Sequence, residues 1–217
     1  MNGFERLQVE TRDARAELVS VPVIQQALRG EVSREVYLEF LRRAYHHVRH
    51  TVPLLLAVGS RLPERLDWLQ REMVEYANEE LGHEKWILND IDAAGGNANA
   101  ARDSAPGPEV DAMVAYAYDT VMRRNPVGFF GMVFVLEGTS AALALDASEG
   151  LQRSLGLTDR AFTYLRSHGH LDQEHVGHLA NIVNRLPHDD VDAVIQCAQT
   201  MFWIYAKVFR SLAEARS

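Results

Sequence analysis

The chain has 217 residues, of which 47% are hydrophobic and 24% charged, and its formal net charge is −8. This length suits a single domain over residues 1–217, and the negative charge argues against a nucleic-acid surface. Because Cys197 is the only cysteine, no disulfide can form within the chain, and the N-terminal segment lacks the apolar core of a signal peptide. These features favour a protein of the reducing cytoplasm.

Apolar residues recur at three- and four-residue spacing along nearly the whole chain, which predicts helices and no strands. Ser33 suits an N-cap, Pro53 should kink the helix that follows, and the Gly95-Gly96 pair suits a left-handed helix end. We treat residues 95–108 as a surface loop. The predicted product is an all-α bundle of seven or so helices. The helical segments, the second of them short, are residues 4–19, 22–30, 33–61, 64–94, 109–124, 126–148, 158–185 and 187–215.

Residues 126–145 are long enough to cross a membrane and carry Glu137 as their only charge. A lone acid at the bilayer centre is costly. The remaining helices are amphipathic and would lose their packing partner if this one left the bundle. The segment is therefore predicted to be a helix buried in the middle of a soluble bundle.

Three motifs bring histidine and carboxylate side chains together. Glu80 and His83 form a Glu-x-x-His pair one helical turn apart, and Glu137 interrupts an apolar run. In the stretch HGHLDQEHVGH, side chains at i, i+4 and i+7 share one helix face. These are His168, Asp172 and His175. Three histidines and three carboxylates are enough ligands for two iron ions.

Each motif also has an ordinary structural explanation. The Glu-x-x-His pair could be solvated, Glu137 could form a salt bridge with an arginine of a neighbouring helix, and the histidine-rich stretch could be a polar helix face. The combination is more specific because the motifs fall on three predicted helices near mid-length. Such ligands are typical of iron or manganese in helical bundles, whereas zinc usually takes fewer. Glu79, four residues before His83, competes with Glu80 as a ligand.

The order of these ligands distinguishes two diiron families. Ferritin-like proteins carry a glutamate deep in the first bundle helix, but here that helix has no acid after Glu39 and carries His46, His47 and His50 instead. With His168 as the sixth ligand, the chain resembles the heme-oxygenase-like diiron oxidases, which are relatives in fold of thiaminase II and pyrroloquinoline-quinone synthase. The resemblance covers residues 33–209 as helix order.

The resemblance implies a heme-oxygenase-like fold and reductive activation of O2 at two Fe(II) ions, which become Fe(III). It implies a small amino-acid or fatty-acid-like substrate that bears a carboxylate and is desaturated, cleaved or oxygenated. We expect a homodimer, with an external electron donor as a further partner. The implied ligands are Glu80 and Glu137 as carboxylates that bridge or shift, Asp172 as the third carboxylate, and His83, His168 and His175 as terminal imidazoles.

Two relatives in fold match the sequence less well. Thiaminase-II-like hydrolysis implies a cysteine nucleophile in the middle of the chain, but Cys197 lies on the last predicted helix. Heme oxygenase implies a proximal histidine near the N-terminus, where none precedes His46. The candidates for contact with the substrate are Tyr45, His46 and Arg49. Glu174 and His178 point away from the ligand face, and we expect at most an indirect role for them.

The sequence therefore predicts a diiron oxidase or oxygenase. Two alternatives stay open: a non-catalytic or regulatory helical protein whose cluster stores or senses metal, and a thiaminase-like hydrolase that keeps the fold. Substrate-dependent consumption of O2 would separate the first reading from both alternatives.

Overall fold

The computed structural model describes the backbone of residues 1–214 and the side chains of residues 1–212. Every regular element in this part of the chain is helical, which confirms the predicted all-α fold. The described residues form twelve α-helices, more than the seven expected. In chain order these are α1 (Gly3–Glu10), α2 (Arg12–Val19), α3 (Pro22–Leu28), α4 (Arg34–Val48), α5 (Thr51–Arg61), α6 (Trp68–Glu79), α7 (His83–Ala93), α8 (Ala98–Asp103), α9 (Pro108–Arg123), α10 (Phe129–Leu155), α11 (Thr163–Arg185) and α12 (His188–Glu214).

The count is higher because several long predicted helices are divided. The first breaks at Thr11, whose hydroxyl donates to the carbonyl oxygen of Leu7 over 2.6 Å. The helix predicted over residues 33–61 breaks at residues 49–50, so the kink expected at Pro53 is displaced by about one turn. Proline has no N–H to donate to the carbonyl four residues earlier, and its ring crowds that carbonyl. The chain therefore ends α4 just before Pro53 and restarts as α5.

The helix predicted over residues 64–94 is divided at residues 80–82 into α6 and α7. Gly82 has a φ of +94°, in the left-handed region that glycine adopts without steric cost. The turn stops α6 and lets α7 begin at His83 in a new direction. The surface loop expected at residues 95–108 also contains one short helix, α8.

The predicted helix caps are present. The hydroxyl of Ser33 accepts the N–H of Val36 at the start of α4, over 3.4 Å. After α7, Gly95 has a φ of +85° and the N–H of Gly96 donates to the carbonyl oxygen of Ile91 over 2.8 Å. Both ends were predictable because the required side chain or backbone freedom is local.

The start of α11 depends on a more distant residue. A short 3-10 helix at Asp159–Ala161 comes first, so the α-helix predicted from residue 158 begins at Thr163. There the carboxylate of Asp90 on α7 accepts the N–H of Tyr164 over 2.8 Å and caps α11. The last helix, α12, follows its prediction closely, and the predicted end at Ala215 lies outside the described residues.

Helix α10 lies in the middle of the bundle and packs mainly against α11 and α12. Pro126–Leu155 is apolar enough to cross a membrane, with a mean hydropathy of 1.6, but 61% of its most apolar window is buried inside the bundle. It is a core helix, as its composition predicted. Gly169 allows α11 to approach closely, because a Cβ there would lie 2.8 Å from Cγ of Leu145. This approach brings α11 beside Glu137.

Candidate metal centre

The turn between α6 and α7 presents a carboxylate and an imidazole to the interior of the bundle. Glu80 follows α6 and is 7% exposed, and His83 begins α7 and is 5% exposed. Nδ1 of His83 lies 3.1 Å from Oε2 of Glu80. The prediction of one continuous helix here is wrong because Gly82 breaks it. The left-handed turn nevertheless keeps the two side chains in contact.

Helices α10 and α11 supply the other four predicted ligands. Asp172 and His175 on α11 and Glu137 on α10 are all buried, and His168, one turn earlier on α11, is partly buried. Nδ1 of His175 lies 3.5 Å from Oδ1 of Asp172 and 3.6 Å from Oε1 of Glu137. The i, i+4, i+7 spacing therefore places these side chains on the interior face of α11.

The ligand atoms form two groups that share Glu80. In one group the atoms of Glu80, His83 and His168 lie within 4.8 Å of one another, and in the other those of Glu80, Glu137 and His175 do. Two ligands that are each about 2.1 Å from one ion lie at most about 4.2 Å apart. Each group therefore needs only small movements to hold an ion. Oε2 of Glu80 faces His83, while its Oε1 lies 3.8 Å from Nδ1 of His175.

The donor set fits divalent cations. Three of its buried atoms have no hydrogen-bond partner, namely Oε2 of Glu137, Oδ1 of Asp172 and Nδ1 of His175. Buried polar atoms are normally paired, and buried carboxylates need a cation or strong donors. Among the described ion pairs, the three central carboxylates contact histidines only. The arginine salt bridge considered for Glu137 is therefore not formed, and the cluster has the charge and the free lone pairs that a metal ion would neutralise.

The cluster raises the pKa values of two neighbouring groups, Glu137 and His175, for different reasons. Burial raises the pKa of Glu137 to about 7, with a further contribution from the nearby Asp172 carboxylate. Burial alone would lower the pKa of His175, but the carboxylates of Asp172 and Glu137 outweigh it and raise that pKa to about 10. Without metal, His175 therefore holds a proton at neutral pH. A metal ion bound there must displace it, since a ligating imidazole is neutral.

Contacts outside the cluster hold the imidazoles in place. Nδ1 of His168 donates to the carbonyl oxygen of Tyr164 over 3.1 Å, which leaves Nε2 as the free ligand atom. The ring of His83 stacks on Trp86 with a centroid distance of 3.9 Å. On the outer side, Oε2 of Glu79 lies 3.5 Å from Nε2 of His175. Partners of this kind fix the ring orientation of metal-binding histidines.

The competing acids and histidines lie outside the cluster. The side chain of Glu79 is 58% exposed, so Glu80 is the glutamate that lies among the other candidate ligands. Glu174 and His178 on α11 are exposed, and Nε2 of His178 lies 3.0 Å from Oε2 of Glu72. Their angle on the helix predicted this position, because each residue turns the side chain by about 100°.

A cavity of about 150 Å³ adjoins the cluster and extends between α3, α4, α10, α11 and α12. One end is lined by Glu80, Glu137, His168 and Asp172. Most of the remaining lining is aliphatic or aromatic, including Val36, Met132, Leu143, Ala144 and Leu165. The cluster therefore has a polar ligand shell that faces an apolar chamber, the usual composition of a small-molecule site.

The predicted substrate contacts Tyr45, His46 and Arg49, at the end of α4 and just after it, do not line this cavity. Arg49 is exposed and lies over the ring of Tyr45 at 5.5 Å, and Nε2 of His46 lies 3.0 Å from Oγ of Ser104. The histidine of α4 that does line the cavity is His47. Sequence reasoning missed it, although a signal existed. It lies three residues after Ala44 and one before Val48, next to the apolar stripe of α4.

Comparison with known proteins agrees with this geometry. Residues 38–206 match the model of a family described as iron-containing redox enzymes. The chain belongs to this family. The matched region includes all six clustered residues and the whole of α10 and α11. No curated protein matches the sequence. The family match makes iron the metal to consider first for the cluster.

Solved structures show the heme-oxygenase-like fold. A domain of unknown function from Shewanella denitrificans OS217 is 21% identical, with a TM-score of 0.86, over 99% of this chain and 93% of that one. A TenA homologue from P. horikoshii OT3 is 13% identical, with a TM-score of 0.82, over 99% of both chains. Heme oxygenase from Leptospira interrogans is 13% identical, with a TM-score of 0.74, over 97% of this chain and 100% of that one. The predicted fold and family are confirmed.

Proposed function

We propose that the protein is an O2-dependent non-heme diiron oxidase or oxygenase that acts on a small metabolite. The observation that carries the proposal is the position of Glu80, whose two oxygens face two different groups of ligand atoms. A carboxylate that serves two groups at once suits a pair of ions better than a single ion. Membership of an iron-containing redox family supports iron and a redox reaction.

The chain would hold the two ions from three helices and one turn. Glu80 would bridge, His83 and His168 would complete the first position, and Glu137 and His175 the second. Asp172 is 1% exposed and has an unpartnered oxygen 3.5 Å from His175, so it is the remaining carboxylate of the second position. The outer contacts of His168 and His175 would keep both rings oriented during turnover.

Two ferrous ions, when bound, would supply two of the four electrons that reduce O2 to water, while the substrate supplies two and an external donor restores the ferrous state. The protein contributes the environment. The apolar chamber would hold the substrate against the ligand cluster. A carboxylate on the substrate, which the sequence predicted, would be neutralised at the cluster end of the chamber.

The hydrolase and heme alternatives are less consistent with the side chains. Cys197 is 2% exposed on α12, does not line the chamber, and has its pKa raised to about 12 by burial. It therefore stays a thiol at neutral pH and does not reach a substrate in the chamber. A cavity of about 150 Å³ is the size that holds a benzene ring, which is far smaller than a porphyrin.

Anaerobic titration with Fe(II) tests the proposal. We expect two irons per chain, followed by substrate-dependent O2 consumption across panels of amino acids, fatty acids and small aromatic acids. Saturation at one iron, with Glu137→Ala binding iron as tightly as the wild type, would contradict a diiron centre. Two irons without O2 consumption above that of free Fe(II) on the full panels would favour the metal-storage alternative. The homodimer, the cytoplasmic location and the external donor remain predictions from the sequence.

A further inference from the structure

Most of the chamber lining is apolar. Within the described lining there is no lysine or arginine, and the carboxylates belong to the metal cluster. Several hydroxyls that line it are already paired within the chain. That of Tyr37 donates to the carbonyl oxygen of Ala161 over 2.6 Å, and that of Thr139 to the carbonyl oxygen of Val135 over 2.6 Å. These groups have their hydrogen bonds without a ligand.

His47 differs from these residues. It is 3% exposed, it lines the chamber from α4, and its Nδ1 has no hydrogen-bond partner. The histidines on either side of it are paired. His46 contacts Ser104 at 3.0 Å, and Nδ1 of His50 lies 3.2 Å from the hydroxyl of Tyr118. A buried nitrogen without a partner is costly to the protein. A group that enters the chamber can supply the missing hydrogen bond.

A second unpartnered atom faces the same space. The hydroxyl oxygen of Ser140, one turn after Glu137 on α10, also lines the chamber and has no partner. Outside the metal cluster, His47 and Ser140 are the lining residues with such atoms among those described. They lie on two different helices, α4 and α10, which both line the cavity. The chamber therefore offers a small number of directed hydrogen bonds within an apolar wall.

The charge state of His47 restricts what it can bind. Burial, together with smaller effects of the nearby His168, His50 and His46, lowers its pKa to about 3. Its imidazole is therefore neutral, with one nitrogen that donates and one that accepts. Such a ring pairs with a hydroxyl, an amide or a carbonyl. It does not neutralise a carboxylate, and the described lining contains no lysine or arginine that would do so.

We propose that His47 selects a substrate whose apolar body fills the chamber and whose uncharged polar group pairs with the His47 imidazole. This inference rests on the proposed function only in calling the ligand a substrate. A free zwitterionic amino acid with its charges in the chamber is excluded. A charged carboxylate is accommodated only at the cluster end.

The binding of four probes tests this inference. Each probe has one benzene ring, and the probes differ in the group attached to that ring. Benzyl alcohol and benzamide are uncharged and polar, ethylbenzene is apolar, and benzoate is charged. Isothermal titration calorimetry under nitrogen, with the protein as purified and after loading with Fe(II), measures each affinity. In the protein as purified we expect both polar neutral probes to bind about tenfold more tightly than ethylbenzene, and benzoate to bind most weakly.

Variants at neighbouring histidines separate a hydrogen bond from a packing effect. His47→Phe should reduce the affinity for benzyl alcohol about tenfold and leave that for ethylbenzene within twofold. His46→Phe, on the same helix but outside the chamber, should leave both unchanged. His47→Gln should keep part of the preference for benzyl alcohol over ethylbenzene, because glutamine has both a hydrogen-bond donor and an acceptor. If His47→Phe fails to fold, Ser140→Ala provides a milder variant, with an expected loss of about threefold.

Equal losses for His46→Phe and His47→Phe, or tight binding of benzoate without metal, would overturn the inference. Lack of binding of all four probes by the wild type would overturn it as well, because the chamber would then not accept small apolar bodies. Iron stoichiometry and O2 consumption are measured separately. A protein that binds the probes as expected but fewer than two irons contradicts the proposed function and not this inference.

Discussion

Two helices of this bundle are rich in histidine, and they use it differently. The last turn of α4 and the two residues after it have the sequence YHHVRH, and α11 carries four histidines between residues 168 and 178. On α4, His46 faces a hydroxyl group and His47 faces an apolar chamber, and His50, just after the helix, faces a second hydroxyl group. On α11, His168 and His175 face carboxylates from other helices. The spacing of histidines does not distinguish the two helices, because the partners come from elsewhere in the chain.

The pKa values of two buried histidines express this difference. Burial lowers the pKa of both rings. For His47 no carboxylate opposes that effect, and its pKa falls to about 3. For His175 the carboxylates of Asp172 and Glu137 outweigh it, and its pKa rises to about 10. The metal-binding face is therefore on α11 and not on α4, because α11 lies beside the carboxylates of α10 and of the loop between α6 and α7.

Removal of the shared carboxylate, Glu80, should have the largest effect on iron binding and activity. Glu80→Ala should bind less than one iron per chain and reduce O2 consumption by more than about 100-fold, because both ligand groups lose a member. Glu79→Ala is the matched control, since its exposed carboxylate contacts only the outer nitrogen of His175. The Glu79→Ala variant should lose iron affinity and O2 consumption by about tenfold or less. Iron analysis after anaerobic loading measures both, and equal losses would show that Glu80 is not shared.

Truncation of one histidine on each helix sharpens the comparison further. His168→Ala should lose one of two irons and most of the activity, while the bundle still folds. His46→Ala, its counterpart on α4, should keep both irons, because its ring contacts Ser104 and not a carboxylate. Iron stoichiometry together with thermal unfolding measures these outcomes. If His46→Ala lost the iron and His168→Ala kept it, the ligand assignment and the role of α11 would both be wrong.

The carboxylate that starts α11 should influence stability through pH. Burial raises the pKa of Asp90 from 3.8 to about 6. Between these values the folded state binds more protons than the unfolded state, so stability decreases as pH rises from about 4 to above 6. The contribution is at most about 3 kcal/mol. Asp90→Asn should lose less stability over this interval, as urea unfolding from pH 4 to pH 7 would measure. Parallel curves for the two proteins would refute this explanation.

The smallest effect on iron binding and stability is expected for removal of Glu39, an acidic residue of α4. Glu39 accepts hydrogen bonds from Nε of Arg42 and Nε of Arg43, both over 2.7 Å, and no ligand group includes it. Glu39→Ala should therefore bind two irons and lose about 1 kcal/mol of stability or less, because Arg42 is partly exposed and the buried Arg43 keeps its ion pair with Glu109. Chemical unfolding and iron analysis measure both quantities. Loss of iron in this variant would instead indicate a ferritin-like ligand on α4.

Much of the fold was accessible from the sequence because its signals are local. Apolar periodicity predicted the all-α bundle, Ser33 and Gly95 marked helix ends, and the apolar run around Glu137 marked the core helix. The positions of helix breaks were harder to predict. Gly82 is one glycine in a strongly helical segment, and only the packing of α6 and α7 decides that the chain turns there.

The sequence by itself determined which residue types stand at helical spacing, and hence the six candidate ligands and the shared face of α11. Tertiary structure alone decided which of these residues meet. It placed Glu80 and not Glu79 among the other candidate ligands, and it directed His47 and not His46 into the chamber. The physical reason is that helical periodicity repeats within one element, whereas a metal cluster or a cavity is formed by side chains from several helices whose mutual positions depend on the packing of the whole bundle.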